Sequence, residues 1–136
     1  MEERTELRSD EMAKKILVVD DEELITKTVG NLLKREGYEV IVCESGFQAQ
    51  KEIENNKDFD LIVADIRMPG INGLETIKNI KKYLKTRNKP DVHVIFITGY
   101  ADSDAHIKAE KFGKVIFKPF DIRDFLSEVK KSLSSK

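Results

Sequence analysis

Polar groups that could do chemistry follow four short apolar runs in this sequence. After two of these runs the polar groups are acidic. These groups are Asp20 and Asp21 after Ile16-Leu-Val-Val, Asp65 after Leu61-Ile-Val-Ala, Thr98 after Val94-Ile-Phe-Ile, and Lys118 after Val115-Ile-Phe. Carboxylates bind hard divalent cations, and a hydroxyl and an ammonium can stabilise charge on a phosphoryl group. If folding gathers these side chains, we expect one site for a phosphoryl group and a divalent cation.

The balance of charge at such a site favours a metal ion. Asp20, Asp21 and Asp65 would place up to three negative charges together, so at least one pKa should be raised unless a cation intervenes. Lys118 contributes one positive charge and Mg²⁺ would contribute two, which brings the sum to about zero. A soft metal is not expected, because the single cysteine and the two histidines do not follow converging strand ends.

The position of each candidate in the chain suggests its role. Asp65 stands alone after the middle run, so it is the candidate nucleophile, and its attack on phosphorus would give an aspartyl phosphate. Asp20 and Asp21 are assigned to the metal, while Thr98 and Lys118 would each contact a phosphoryl oxygen. Taken singly, each residue also fits an ordinary loop, cap or surface position. Only the order and spacing of the whole set carries the hypothesis.

Five strands alternating with five helices must position these residues. The predicted strands are Lys15–Asp20, Tyr38–Cys43, Phe59–Ala64, Val92–Ile97 and Val115–Phe117. The predicted helices are Glu22–Arg35, Gly46–Asn55, Asn72–Thr86, a thinly apolar Asp102–Phe112, and a last helix capped by Asp121. Near-continuous apolar strands with short connections predict an α/β fold, a doubly wound five-stranded parallel sheet with helices on both faces. In such sheets the ligand crevice lies at the carboxyl ends of the strands.

Length and composition indicate one domain of a soluble protein. The 136 residues divide into a charged N-terminal tail, 1–13, and a domain, 14–136; the tail could instead begin a helix that docks on a partner. A net charge of −1 gives no reason to expect nucleic-acid binding, and no apolar stretch is long enough for a membrane span or signal peptide. We therefore expect a cytoplasmic protein in which Cys43 is a reduced core residue.

A run of bases ends the third predicted helix. It contains Lys78, Lys81, Lys82, Lys85, Arg87 and Lys89 without an acid among them. A docking patch for an acidic partner is one interpretation. The other is an ordinary solvated face, since bases also suit a helix C-terminus.

Taken together, these motifs resemble the receiver domain of two-component response regulators, over about Lys14 to Lys136. The motifs are Asp20-Asp21, Asp65 with Met68-Pro69-Gly70, Thr98, and Lys118-Pro119-Phe120. The resemblance implies the flavodoxin-like strand order 2-1-3-4-5 and a phosphoryl group accepted on Asp65. It implies a sensor histidine kinase or a histidine phosphotransfer protein as donor, and a downstream protein as target.

Details of the site also follow from the resemblance. It implies that Asp21, Asp65 and the backbone carbonyl of Arg67 bind Mg²⁺ directly, with Asp20 acting through water. It also implies a cis Lys118–Pro119 bond. We expect a phosphorylation-controlled binding module that catalyses only its own phosphorylation and dephosphorylation, without a DNA-binding output domain in this chain. We expect a monomer, with dimerisation on phosphorylation as an alternative.

The chain departs from the family's pattern at the switch position. The family has an aromatic residue three before the lysine, where this chain has Val115. Tyr100 or Phe117 could substitute, or output could use mainly the fourth helix or another surface. Arg67 and Tyr100 lie two residues past Asp65 and Thr98, and we hypothesise that they restrict the attacking water and prolong the phosphoryl group's life. The alternative is that both side chains lie in solvent.

Two other functions compete with this interpretation. A Mg²⁺-dependent phosphohydrolase with an aspartyl-phosphate intermediate typically needs a second acid two residues after the nucleophile, where this chain has Arg67. A degenerate receiver would bind partners without phosphorylation, but here the acid pair, acceptor, threonine and lysine are all present. The receiver interpretation therefore leads.

Overall fold

The computed structural model describes residues 13–55, 58–99 and 103–134, in which five strands alternate with five helices as predicted. The strands are β1 (Lys15–Val19), β2 (Glu39–Cys43), β3 (Leu61–Asp65), β4 (His93–Thr98) and β5 (Lys114–Phe117). The helices are α1 (Glu23–Arg35), α2 (Gly46–Asn55), α3 (Gly73–Thr86), α4 (Ser103–Ala109) and α5 (Ile122–Ser134). The predicted tail, 1–13, lies outside the described residues except for Ala13, which is exposed.

The five strands form one parallel sheet in the order β2-β1-β3-β4-β5, which confirms the order that the resemblance implied. β1 and β3 lie side by side in its interior, and every residue of both strands is buried. Because all strands run in the same direction, their carboxyl ends share one edge of the sheet. The residues that follow β1, β3, β4 and β5 therefore converge there.

Two hydrophobic cores cover the two faces of the sheet. On the side of α2, α3 and α4, Leu17 and Ile62 pack with Ile77. On the side of α1 and α5, Ile16 and Val63 pack with helix residues; Leu33 and Phe125 are among them. Neighbouring strand residues point to opposite cores, so apolar side chains are needed at every position of the central strands.

Two of the predicted boundaries are wrong by several residues. β3 begins at Leu61 instead of Phe59, because pairing with β1 starts only at Leu61; Phe59 is buried but precedes the ladder. α4 ends at Ala109 instead of Phe112, and a turn leads to Gly113. A Cβ at Gly113 would collide with the carbonyl oxygen of Val94, so the chain needs glycine where it enters β5. The predicted start of this helix, Asp102, lies outside the described residues.

The predicted cap of the last helix is present, and two other helices also have recognisable caps. Ser45 Oγ accepts a hydrogen bond from the N–H of Gln48 at 3.1 Å, and Asp121 Oδ1 accepts one from Arg123 at 2.8 Å. Gly37 follows α1 with a φ of +95°, which glycine adopts without strain. α1 itself begins differently, because its N-cap residue, Glu22, makes no capping hydrogen bond with its side chain.

The basic end of α3 has partners within the chain. Lys81 Nζ lies 2.9 Å from Asp91 Oδ1 and also donates to the Val92 carbonyl, and Lys89 Nζ lies 3.6 Å from Asp58 Oδ1. The Arg87 guanidinium stacks on the ring of Tyr83. Three of the six bases are thus engaged locally, which favours the solvated-face interpretation over a docking patch.

Two further sequence predictions concern Cys43 and the membrane. Cys43 is a buried core residue as predicted, and burial raises the pKa of its thiol to about 12, which keeps it neutral. Within the described residues, no helix combines the length and the apolar character that crossing a bilayer requires.

Candidate functional site

Three acids meet at the carboxyl edge of the sheet. Asp20 follows β1 and Asp65 ends the neighbouring β3, so their side chains approach each other with that of Asp21. One carboxylate oxygen from each of the three lies within 4.8 Å of the others. Lys118 follows β5 and its Nζ reaches the same place, 3.1 Å from Asp20 Oδ2 and 3.5 Å from Asp65 Oδ2. The structure therefore brings together four of the predicted site residues.

Thr98 ends β4 at the same edge. Its carbonyl oxygen accepts a hydrogen bond from the N–H of Lys118 at 2.7 Å, and its side chain is buried. An open cleft of about 920 Å³ lies above this edge. It is lined by Asp21, Glu22, Asp65, Ile66, Arg67, Met68, Pro69, Asn72, Gly99, Ala105 and Lys118. Asp20 and Thr98 are not among these lining residues, and their exposed fractions are only 0% and 1%.

Asp20 and Asp65 differ in how their carboxylate oxygens are occupied. Asp20 is fully buried, and its two oxygens accept hydrogen bonds from the N–H of Glu22 and from Nζ of Lys118, at 3.0 and 3.1 Å. Asp65 Oδ1 is also buried, but it has no hydrogen-bond partner among the described residues. A buried oxygen without a partner is costly unless a cation or a donor occupies the site.

The electrostatics of the site reflect crowded acids. Burial and then the charge of Asp20 raise the pKa of Asp65 to about 6, against the opposing effects of Lys118 and the N–H of Arg67. Burial likewise raises the pKa of Asp20 above its usual value. Burial alone would lower the pKa of Lys118, but the charges of Asp20 and Asp65 outweigh it and raise that pKa, so the ammonium stays charged.

This arrangement fits a hard divalent cation. All donors in the cluster are carboxylate oxygens, the type that Mg²⁺ prefers, and Asp65 Oδ1 has no other partner among the described residues. A second positive charge beside Lys118 would also counteract the two effects, burial and the charge of Asp20, that raise the pKa of Asp65. The acids and Arg67, which lies in the cleft lining, are the residues available to hold the metal.

Glu22 is a site residue that was not predicted from the sequence. It was expected only as the first residue of a helix, but its carboxylate lies 3.1 Å from Lys118 Nζ. In the described part of the chain, the carboxylates of Asp20, Glu22 and Asp65 thus surround the Lys118 ammonium. The missed signal was a third successive acid in Asp20-Asp21-Glu22, although its partner lies 96 residues away in sequence.

The turn after β3 fixes the backbone of Asp65. Gly70 has a φ of +79°, and the N–H of Gly73 donates to the Ile66 carbonyl at 2.8 Å. A Cβ at Gly73 would collide with the carbonyl oxygen of Asp65. Glycine at position 73 therefore lets α3 begin directly against the residue that carries the candidate nucleophile.

The β5 end shows the implied cis Lys118–Pro119 bond and a contact to α4. Val115, at the family's aromatic switch position, is half-buried in the core. Phe117 is 41% exposed, and its ring lies edge-on to that of His106 in α4, with centroids 5.4 Å apart. Of the two suggested substitutes for the switch aromatic, Phe117 thus touches α4, whereas Tyr100 lies outside the described residues.

The strand order and the acid–lysine cluster at the carboxyl edge define a flavodoxin-like α/β domain of the kind found in signalling proteins. The sequence model of the response regulator receiver domain matches residues 16–130, and the chain belongs to that family. Receiver domains are signalling modules of two-component systems, unlike conventional enzymes. They bind Mg²⁺ at an acidic pocket and interact with histidine kinases or phosphotransfer proteins and with downstream targets.

Individual proteins of known identity support this assignment. The chain is 32% identical over 126 residues to the response regulator receiver protein CpdR of Brucella abortus, covering 88% of this chain and 97% of that protein. It is 36% identical over 108 residues to the transcriptional regulatory protein ZraR of Klebsiella oxytoca, covering 78% of this chain but only 23% of ZraR. The solved structure of the response regulator TrrA of Thermotoga maritima with Mg²⁺-BeF superposes with a TM-score of 0.76 at 35% identity, covering 88% and 99% of the two chains.

Proposed function

We propose that this receiver accepts a phosphoryl group on Asp65 from a histidine kinase or a histidine phosphotransfer protein, and that phosphorylation alters a protein-binding surface. The observation that carries the proposal is the setting of Asp65. Its carboxylate lines an open cleft, 3.5 Å from Lys118 Nζ, and Oδ1 is unpaired among the described residues. A nucleophile and a fixed positive charge are thus side by side where a phosphoryl group can enter.

The chain's own residues would perform the transfer as follows. An oxygen of the Asp65 carboxylate attacks phosphorus, and the bond from phosphorus to the donor's imidazole nitrogen breaks with its electron pair remaining on that nitrogen. With a pKa of about 6, Asp65 is mostly ionised at neutral pH and can attack without a base. Lys118 would pair with a phosphoryl oxygen, and the Thr98 hydroxyl would donate to another.

Mg²⁺ is part of this proposal. Asp21, Asp65 and the backbone carbonyl of Arg67 would hold it, and Asp20 would act through water, since both Asp20 oxygens already accept hydrogen bonds. When bound, the metal supplies positive charge at the phosphoryl oxygens. The TrrA structure with Mg²⁺-BeF, from a relative of this chain, supports the choice of metal.

Incubation with acetyl phosphate, with and without Mg²⁺, tests the proposal. Intact-mass spectrometry should detect one added phosphoryl group in the wild type only when Mg²⁺ is present. Asp65→Asn should show none, and Glu23→Gln, which removes an exposed acid from the first turn of α1, should behave as the wild type. No adduct in the wild type, or an undiminished adduct in Asp65→Asn, would refute it.

The other expectations remain predictions. We expect a protein located in the cytoplasm that binds neither nucleic acid nor membranes. We expect a monomer, with dimerisation on phosphorylation as an alternative, and an output by protein–protein contact or phosphorelay.

A further inference from the structure

The residue just before α1, Glu22, is an unusual N-cap. Helices favour Ser, Thr, Asp or Asn at this position, because a short side chain can accept a hydrogen bond from the free N–H groups of the first turn. Glu22 has the extended backbone of an N-cap, and its carbonyl accepts hydrogen bonds from Ile25 and Thr26, yet its side chain caps nothing. The carboxylate instead reaches Lys118 Nζ at 3.1 Å. Helix α1 therefore has no side-chain cap at its N-terminus, and the Glu22 carboxylate contacts Lys118 in the candidate site instead.

Lys118 has three acidic partners: Asp20 and Glu22 accept hydrogen bonds from its Nζ at 3.1 Å, and Asp65 forms an ion pair with it at 3.5 Å. A lysine ammonium carries three N–H donors. In the described part of the chain, the carboxylates within 4.0 Å of Nζ are those of Asp20, Glu22 and Asp65. A phosphoryl oxygen that binds Lys118 would compete with these carboxylates for the ammonium.

Glu22 is the partner that can leave most readily. The Asp20 side chain is fully buried and held by a second hydrogen bond, and the Asp65 side chain is 7% exposed, whereas that of Glu22 is 61% exposed. A released Glu22 carboxylate can be hydrated at once, so its departure carries little desolvation cost. It also lines the cleft, where its negative charge opposes an arriving anion.

We propose that Glu22 is a positioning residue that holds Lys118 before phosphorylation and competes with the phosphoryl group for it. The inference rests on the proposed phosphorylation of Asp65 and adds a restraint that this chain places on it. Removing the Glu22 charge should free one donor of Lys118 and strengthen the binding of a phosphoryl mimic. Measured exposed ion pairs indicate an effect of about two- to fivefold on the dissociation constant.

A titration with beryllofluoride tests this competition. The full chain, labelled with ¹⁵N and saturated with Mg²⁺, is titrated as wild type, Glu22→Gln and Glu23→Gln. Glutamine at position 22 keeps the shape and the backbone cap but not the charge. Glu23 is the matched control, since it is an exposed acid one residue further along that is not among the partners of Lys118. We expect a dissociation constant about two- to fivefold lower for Glu22→Gln, and a clearly smaller change for Glu23→Gln.

A second readout reports on Lys118 itself. In the Mg²⁺-free protein, the Nζ resonance of Lys118 should shift in Glu22→Gln and stay in place in Glu23→Gln, a difference that mere loss of helix stability would not produce. Unchanged or weaker beryllofluoride binding in Glu22→Gln would overturn the inference. So would an equal gain in both variants, which would indicate a general effect of charge.

The same data separate this inference from the proposed function. If the wild type binds no beryllofluoride, or Asp65→Asn binds it equally well, the phosphorylation proposal and this inference both fail. If binding depends on Asp65 but Glu22→Gln does not strengthen it, only the role of Glu22 is refuted.

Discussion

Replacing Asp65 with asparagine should stabilise the folded protein at neutral pH when divalent cations are absent. A buried residue usually contributes to stability, but Asp65 buries a carboxylate, and one of its oxygens is unpaired among the described residues. Asparagine has nearly the same shape and carries no charge. It therefore imitates the protonated acid and removes the repulsion from Asp20.

The expected magnitude follows from the pKa of Asp65. Folding raises this pKa from 3.8 to about 6, so between these values the folded state binds more protons than the unfolded state. Stability is therefore lost as the pH rises through this window and stays low above it. A shift of about 2 pKa units corresponds to about 3 kcal/mol. We expect Asp65→Asn to gain up to about 3 kcal/mol at pH 7.5 and only about 1 kcal/mol at pH 4.5.

Urea unfolding at the two pH values measures this difference. The wild type and Asp65→Asn are compared in a chelating buffer and again with Mg²⁺, which should stabilise the wild type more because it binds the folded site. If the free energy of unfolding falls with urea concentration at the same slope in both proteins, both expose the same amount of surface on unfolding. If Asp65→Asn were no more stable than the wild type at pH 7.5 without metal, the claim that the ionised Asp65 carboxylate destabilises the folded protein would be wrong.

Two further variants probe the loop that follows Asp65 and the cleft around it. Gly73→Ala should destabilise the fold by about 1–3 kcal/mol, because its methyl group would collide with the Asp65 carbonyl. In the same urea assay, an equal loss in Gly99→Ala, whose methyl group meets no heavy atom of the described residues within 4 Å, would contradict this reason. Arg67→Ala combined with Tyr100→Ala should speed loss of the phosphoryl group, followed by intact mass; an unchanged rate would reject the hypothesis that these residues restrict the attacking water.

The position of the site could be predicted because it depends on local patterns. Uninterrupted apolar runs require strands buried on both faces, and parallel strands bring their carboxyl ends to one edge. Asp20, Asp65 and Thr98 follow directly from this rule. The order of the strands did not, since the apolar pattern does not say which strands are neighbours, and it came from the family resemblance.

Contacts between distant parts of the chain could not be predicted from those patterns. The pairing of Glu22 with Lys118 joins α1 to the end of β5, and it depends on how far each side chain reaches once the sheet has formed. The difference between buried Asp20 and exposed Asp21 was likewise hidden, because both follow the same strand. The end of α4 was misjudged because the apolar Phe112 extended the helical pattern beyond Ala109, up to Gly113, where the backbone must pass close to Val94.

The contact between Phe117 and His106 connects the candidate phosphoryl site to helix α4. Phe117 pairs with Thr98 across the sheet and is joined to Lys118 by a single peptide bond. Among the side chains of α4 that the structure describes, Ala109 alone is buried, so few buried contacts hold this helix in its position. We therefore expect that a displacement of the Lys118 ammonium also shifts the neighbouring Phe117, whose ring contacts His106 in the loosely packed helix α4. This coupling would act at the carboxyl edge of the sheet, through Phe117, and would not require the rotation of an aromatic side chain at position 115.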